Sequence, residues 1–165
     1  MFEDRVSHRE GRSTPAASHF PRQPAPPAPL APAPQRHAGA GMRRVLVVED
    51  NPDGLETLLA LLGMLGHEVA GAADGAQALE QAIAFQPDVV LLDLGLPVLD
   101  GFEVARNLRR DPRAEGVFIA ALTGWGADGD RQRTAEAGFD AHLTKPVELD
   151  ALEAVLAGST VRGKR

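Results

Sequence analysis

The sequence predicts an α/β fold: a five-stranded, doubly wound parallel sheet with helices on both faces, preceded by a disordered tail. Three observations carry that reading. Short apolar runs alternate five times with segments of helical period. The chemically unusual polar residues all stand at the ends of the apolar runs. Composition also changes sharply near residue 41.

Residues 1–41 hold eight of the thirteen prolines, mostly in FPRQPAPPAPLAPAPQ. Alternating Pro and Ala cannot build a helix interior or a sheet ladder, because proline lacks the N–H and fixes φ. Few large apolar side chains are present to offset the entropy of ordering. This segment is expected to be disordered or polyproline-like, a passive linker or tail more readily than a PxxP docking site. Met42 stands directly before the first strand and is a candidate natural start, which intact-mass analysis of the native protein would decide.

The elements follow in order. RVLVVED (44–50) reads as a buried strand, short and β-branched. NPDGLETLLALLGMLGH (51–67) places Leu55, Leu58, Leu59, Leu62 and Leu65 at helical spacing, and Gly66 suits its stop. EVAGAA (68–73) is a weaker strand. Asp74 caps GAQALEQAIAFQ (75–86), with Gln77 three residues on as in a capping box. Pro87 ends that helix before the strand DVVLLD (88–93). Asp100 and Glu103 repeat the capping pattern ahead of GFEVARNLRR (101–110). VFIAALT (117–123) is a strand, DGDRQRTAEAG (128–138) a polar helix, DAHLTK (140–145) a short strand and ELDALEAVLAG (148–158) the last helix.

Bulk properties narrow the function. The 165 residues include no cysteine, so disulfides and thiolate metal sites are excluded. No apolar stretch approaches the ~20 residues needed to span a bilayer, and the N-terminus lacks a secretory apolar core. A soluble, cytoplasmic protein with no membrane partner is expected. The tail has five arginines against three acids, whereas residues 42–165 carry twelve basic and twenty acidic residues. A folded part of net −8 disfavours a phosphate-backbone partner and favours a metal ion. No nucleic-acid partner is expected, and no DNA-reading motif is present.

In parallel α/β sheets, ligands bind beyond the carboxyl ends of the strands. Strand one ends in Glu49 and Asp50, strand three in Asp93, strand four in Thr123 and strand five in Lys145. Any one of these is an ordinary surfacing residue; five together form a constellation. Three converging carboxylates would repel one another, and a divalent cation reverses that cost. Oxygen-only ligands favour a hard ion, Mg²⁺ with Mn²⁺ as the alternative. Lys145 is a point charge for a phosphoryl oxygen, and the Thr123 hydroxyl can donate to another. Asp93, central in the sheet, is the candidate nucleophile, and the set amounts to an acceptor that forms an acyl phosphate.

These residues resemble the receiver domain of two-component response regulators. The resemblance spans about residues 43–157 and rests on VVEDN, LLDLGLPVLDG, ALTG and LTKP, in that order and at that spacing. GFDAHLTKPVELDAL is especially similar to receivers associated with hybrid histidine kinases. The resemblance implies the flavodoxin-like strand order 2-1-3-4-5. It implies a receiver domain, placed at 42–158 between the Pro/Ala-rich tail at 1–41 and a short basic tail at 159–165. It makes Asp93 the phosphoacceptor, with Glu49, Asp50, Asp93 and the Gly95 backbone carbonyl holding Mg²⁺, and Thr123 and Lys145 on the phosphoryl oxygens. It further implies a cis Lys145–Pro146 bond, which X–Pro pairs tolerate. Pro97 and Gly101 fit the family's loop after the acceptor, where glycine permits a backbone conformation other residues resist.

His142, three before the lysine, is either the family's switch residue, coupled to Thr123, or an ordinary half-buried strand histidine. Gly95 leaves space near the aspartyl phosphate while Trp125 blocks it, so the lifetime stays open. The resemblance implies a donor phosphohistidine, on a histidine kinase or phosphotransfer protein, docking near the first helix around Asp53–Thr57. Phosphorylation would draw Thr123 and Lys145 inward and shift the surface of the fourth helix, strand five and last helix for a downstream protein. The oligomeric state stays open. Without an output domain, the reading is a stand-alone receiver or one detached from a hybrid kinase. Two rivals remain: a receiver-like interaction module that takes no phosphate, and a haloacid-dehalogenase-like phosphatase. The second needs an acid two residues after the nucleophile, where Gly95 stands.

Overall fold

The computed structural model describes residues 41–124 and 131–159. The Pro/Ala-rich tail to residue 40, Trp125, the start of the segment expected as the fourth helix and the last six residues lie outside the described residues. The order is β1 (Arg44–Val48), α1 (Pro52–Met64), β2 (Glu68–Ala72), α2 (Gly75–Phe85), β3 (Val89–Asp93), α3 (Gly101–Arg110), β4 (Phe118–Thr123), α4 (Arg131–Ala137), β5 (Ala141–Thr144) and α5 (Leu149–Gly158). The strands form one sheet in the order β2-β1-β3-β4-β5. Every pairing is parallel, with Val45 opposite both Val69 and Val89, and Val89 opposite Phe118.

Period-two alternation divides the apolar side chains between two cores. Leu46, Val48, Val90, Leu92 and Ile119 point to the α2/α3 face, against Ala78, Val104 and Leu108. Val45, Val47, Leu91 and Leu122 point to the other, against Leu58 and Leu62 of α1 and Leu152 and Leu156 of α5. Because both faces are covered, β3 reads as a continuous apolar run with all five residues buried. Each fully buried Leu or Val contributes roughly 1.5–3 kcal/mol relative to exposure.

Helix starts are set by side chains that satisfy orphan N–H groups. The Asp74 carboxylate accepts the Gln77 N–H at 2.8 Å, and the Gln77 side chain accepts the Ala73 N–H. Asp100 accepts the Glu103 N–H at 2.8 Å. Asn51 caps α1 by accepting from the N–H groups of Asp53 and Gly54. At the other end of α1, Gly66 takes a φ of 85°, the left-handed turn that glycine accommodates. Helix α2 ends at Phe85, and Gln86 turns left-handed at φ 52° ahead of Pro87, which cannot continue the helix. A short 3₁₀ turn at Pro112–Ala114, absent from the sequence reading, starts where Asp111 accepts the Arg113 N–H.

A polar clamp holds the edge of the sheet opposite the polar strand ends. Arg109 of α3 donates to the Val117 carbonyl at 2.6 Å, to the Gly138 carbonyl and to Asp140. Asp140 also accepts the Ile119 N–H at 2.9 Å, so one guanidinium joins α3, β4 and the α4–β5 turn. Gly138 lies at φ 93°, and a side chain there would press on Arg109.

Candidate functional site

The five strand-end residues meet at the carboxyl edge of the sheet. Asp93 is the last residue of β3, and Glu49 and Asp50 follow β1 directly. Their carboxylates each offer an oxygen within 4.8 Å of the other two. Glu49 and Asp93 are buried, at 4% and 8% exposure, while Asp50 faces solvent. Lys145 comes immediately after β5, and its Nζ sits 2.6 Å from Glu49 Oε2 and 2.8 Å from Asp93 Oδ2. Thr123 ends β4, buried, its hydroxyl turned toward the Leu143 carbonyl at 3.4 Å. The Lys145 N–H donates to the Thr123 carbonyl at 2.7 Å, and the Lys145–Pro146 bond is cis, as the family resemblance implied.

Electrostatics follow from this crowding. Burial is the largest influence on Glu49 and raises its pKa; the Lys145 hydrogen bond pulls it back, and the charge of Asp93 pushes it up again. Burial works against the Lys145 ammonium, yet hydrogen bonds to Asp93 and then Glu49 outweigh it and raise its pKa. Three carboxylates face one ammonium, so the ionised cluster keeps an excess of negative charge. The donors are all oxygen, partly buried and partly open to solvent. That set fits a hard divalent cation, whose charge balances the excess.

The loops hold the acids in place. The Gly95 N–H donates to Asp93 Oδ1 at 2.9 Å, and the Asn51 N–H donates to Glu49 Oε1 at 3.3 Å. Beyond Gly95, Val98 is fully exposed at φ 68°, inside a tight turn closed by Leu99 N–H to Pro97 carbonyl at 2.8 Å. Gly101 corrects one expectation. Its φ is not left-handed; a Cβ there would stand 2.3 Å from the Asp93 carbonyl oxygen and 2.9 Å from Leu94 Cα. Glycine is required for close backbone approach, not for an unusual dihedral.

His142 is tied to α4 in this arrangement. Its Nε2 meets the hydroxyl of Thr134, which is fully buried, whereas the Thr123 hydroxyl bonds elsewhere. Thr134 donates its own proton to the Arg131 carbonyl, so the imidazole Nε2–H is the donor to Thr134. Sequence reasoning missed Thr134, because a threonine within a polar helix carries no signal of a partner on the next strand.

Burial, then the charge of Arg131, lowers the His142 pKa, and burial followed by Arg43 lowers that of His67. Both native imidazoles therefore favour the neutral form. Their contribution to stability is complete above the ordinary value of 6.5 and is lost as pH falls through it. Acidification from about pH 7.5 to about 5.5 is expected to lower the thermal midpoint, and the double variant His67→Gln/His142→Gln to show a flatter profile. Equal slopes in the two proteins would contradict this.

The order of this sheet and the acids, hydroxyl and ammonium at its carboxyl edge are those of a phosphoacceptor module of two-component signalling. The chain belongs to the response regulator receiver domain family, whose model matches residues 45–157. Protein PilH of Pseudomonas aeruginosa is 35% identical over 121 residues, 71% of this chain and 100% of PilH. The DNA-binding regulator RpaA of Synechocystis sp. is 36% identical over 67% of this chain but only 46% of its own length. The chain thus spans about half the length of relatives of that kind.

Among solved structures, the receiver domain of the sensor histidine kinase PA1611 of P. aeruginosa superposes with a TM-score of 0.64 at 37% identity. The match covers 70% of this chain and 94% of that one, which holds a magnesium ion in its active-site cleft. The receiver domain of Ssk1 of Saccharomyces cerevisiae, solved with the histidine phosphotransfer protein Ypd1, gives 0.64 at 30% identity, covering 70% and 86%. Receiver domains bind Mg²⁺ at an acidic site and pair with histidine kinases or phosphotransfer proteins. Among the described residues, no helix is long and apolar enough to cross a membrane.

Proposed function

We propose that residues 42–158 accept a phosphoryl group onto Asp93 from a phosphohistidine of a histidine kinase or phosphotransfer protein. The observation that carries this reading is the Lys145 ammonium held at 2.8 Å from Asp93 Oδ2 within a cluster of three carboxylates. Asp93 oxygen attacks phosphorus, the P–N bond breaks, and the electron pair leaves on the donor imidazole, which then takes a proton. Magnesium would be held by Glu49, Asp50, Asp93 and the Gly95 carbonyl, and when bound it offsets the repulsion between phosphoryl oxygens and acids.

Lys145 transfers its hydrogen bonds from the acids to a phosphoryl oxygen, and Thr123 gives up the long contact with Leu143 to reach another. Thr123 ends β4 and Lys145 directly follows β5, so their movement is passed to the segment that leads into α5. His142, bonded to Thr134, joins β5 to α4 and so couples two of the three elements of the output face. The donor protein would dock on the outer face of α1. A shallow groove of about 490 Å³ there is lined by Asp53, Glu56, Thr57, Ala60, Leu61 and Met64. PilH, matched over its whole length, is an example of a receiver of this size with no further domain.

Acetyl phosphate with magnesium is expected to add one phosphoryl mass to the protein, removable by hydroxylamine as an acyl phosphate is. A chelator should prevent the addition. No mass gain with magnesium present would leave the interaction-module reading in its place.

A further inference from the structure

We propose that Thr134 is a positioning residue for the switch: its hydroxyl holds the His142 imidazole on α4 and so opposes the rearrangement that phosphorylation of Asp93 sets off. The inference deepens the reading of Asp93 as phosphoacceptor and rests on it. Thr134 lies within α4 and is fully buried. Threonine is a weaker helix former than alanine, and a buried hydroxyl must find partners. Ala137, further along the helix and also buried, shows that the inner face of α4 accepts a plain methyl. The Thr134 hydroxyl donates to the Arg131 carbonyl at 2.9 Å and accepts from His142 Nε2–H. The first partner belongs to its own helix; the second crosses to β5.

His142 has a second place to go. It stands opposite Ala121 across β4 and β5, and Thr123 stands opposite Thr144, so His142 and Thr123 are diagonal neighbours on one face of the sheet. An aromatic side chain spans that separation. Ala141 and Leu143 turn to the other face, toward Leu152 and Leu156 of α5. On the proposed reading, Thr123 leaves the Leu143 carbonyl for a phosphoryl oxygen. The room it gives up adjoins Ala121, whose methyl is too small to fill it. Close packing then favours the imidazole moving in beside Thr123. That movement breaks the bond to Thr134, so the two arrangements exclude each other. The bond acts as a brake with the strength of one hydrogen bond, enough to bias the equilibrium without locking it.

The test is titration of beryllium fluoride, a mimic of the phosphoryl group, with magnesium present and binding read from the amide NMR spectrum. The proteins are wild type, Thr134→Val, Thr134→Ser, His142→Phe and the double variant Thr134→Val/His142→Phe. Loss of the brake favours the arrangement that the mimic selects. Thr134→Val and His142→Phe should therefore each bind it roughly three- to tenfold more tightly, the equilibrium effect of one net hydrogen bond. Thr134→Ser keeps the hydroxyl and should bind as wild type does. Because Thr134 acts through His142, Thr134→Val should add nothing in the His142→Phe background, whereas a merely structural threonine would shift affinity whatever side chain stands at 142. Unchanged or weakened affinity in either single variant would overturn the proposal, as would equal tightening in Thr134→Ser or a further gain in the double variant. If wild type takes up no beryllium fluoride, the reading of Asp93 fails, and this inference with it; uptake that is equal in all five proteins refutes this inference alone.

Discussion

Asp93→Asn is expected to abolish phosphoryl labelling by acetyl phosphate while leaving the metal-free domain at least as stable as wild type. The loss is chemical. A carboxamide oxygen is a far weaker nucleophile than a carboxylate, and its product would be no stable acyl phosphate. The retained stability is electrostatic. Asparagine keeps an oxygen for the Gly95 N–H, and Lys145 keeps Glu49 as its partner. The change also removes a buried negative charge that pushes the Glu49 pKa upward. Magnesium affinity should fall as well, since one of three anionic ligands becomes neutral. Mass spectrometry with acetyl phosphate, thermal melts and magnesium titration read the three effects separately. Labelling of the variant at wild-type yield would move the acceptor elsewhere, and a drop in midpoint of more than about 5 °C would refute the electrostatic argument.

Gly101→Ala is expected to give the largest loss of stability. The methyl would be driven to 2.3 Å from the Asp93 carbonyl oxygen and 3.1 Å from its carbon, with Leu94 Cα at 2.9 Å. All three are backbone atoms, so no side chain can rotate aside. Relief requires β3 and the start of α3 to separate, loosening the contact of the Gly101 N–H with the Leu94 carbonyl at 3.4 Å. Overpacking of this kind costs about 3 kcal/mol or more, which corresponds to a midpoint lower by roughly 10 °C. The same displacement moves Asp93, the proposed phosphoacceptor, so labelling should slow even below the melting transition. Thermal denaturation compared with wild type checks the first effect, and a shift of under about 2 °C would contradict it.

Much of the fold was legible because its signals are local. The run Val89–Leu92, buried on both faces, needed no knowledge of its neighbours to read as a central strand. Asp74 and Asp100 announce helix starts because the cap bonds only three residues onward. The site was legible for a related reason: parallel strands deliver their carboxyl ends to one edge, so Glu49, Asp50, Asp93, Thr123 and Lys145 had to converge once the sheet order was expected. Contacts between distant segments were not legible. Nothing in the sequence ties Arg109 to Gly138 or His142 to Thr134, for those bonds depend on how helices settle against the sheet. Gly101 was singled out for a conformational reason, and its real constraint is the path of β3 passing beside it.

The position of Lys145 between Glu49 and Asp93 has a consequence for the order of events. Lys145 gives the acidic edge a covalently attached counter-ion, which offsets part of the repulsion between Glu49 and Asp93. On the proposed reading, arrival of a dication would amount to an exchange of cations, and the ammonium set loose would lie within reach of incoming phosphate. Loading the metal would thus arm the lysine, linking readiness to receive a signal with the means of transmitting it.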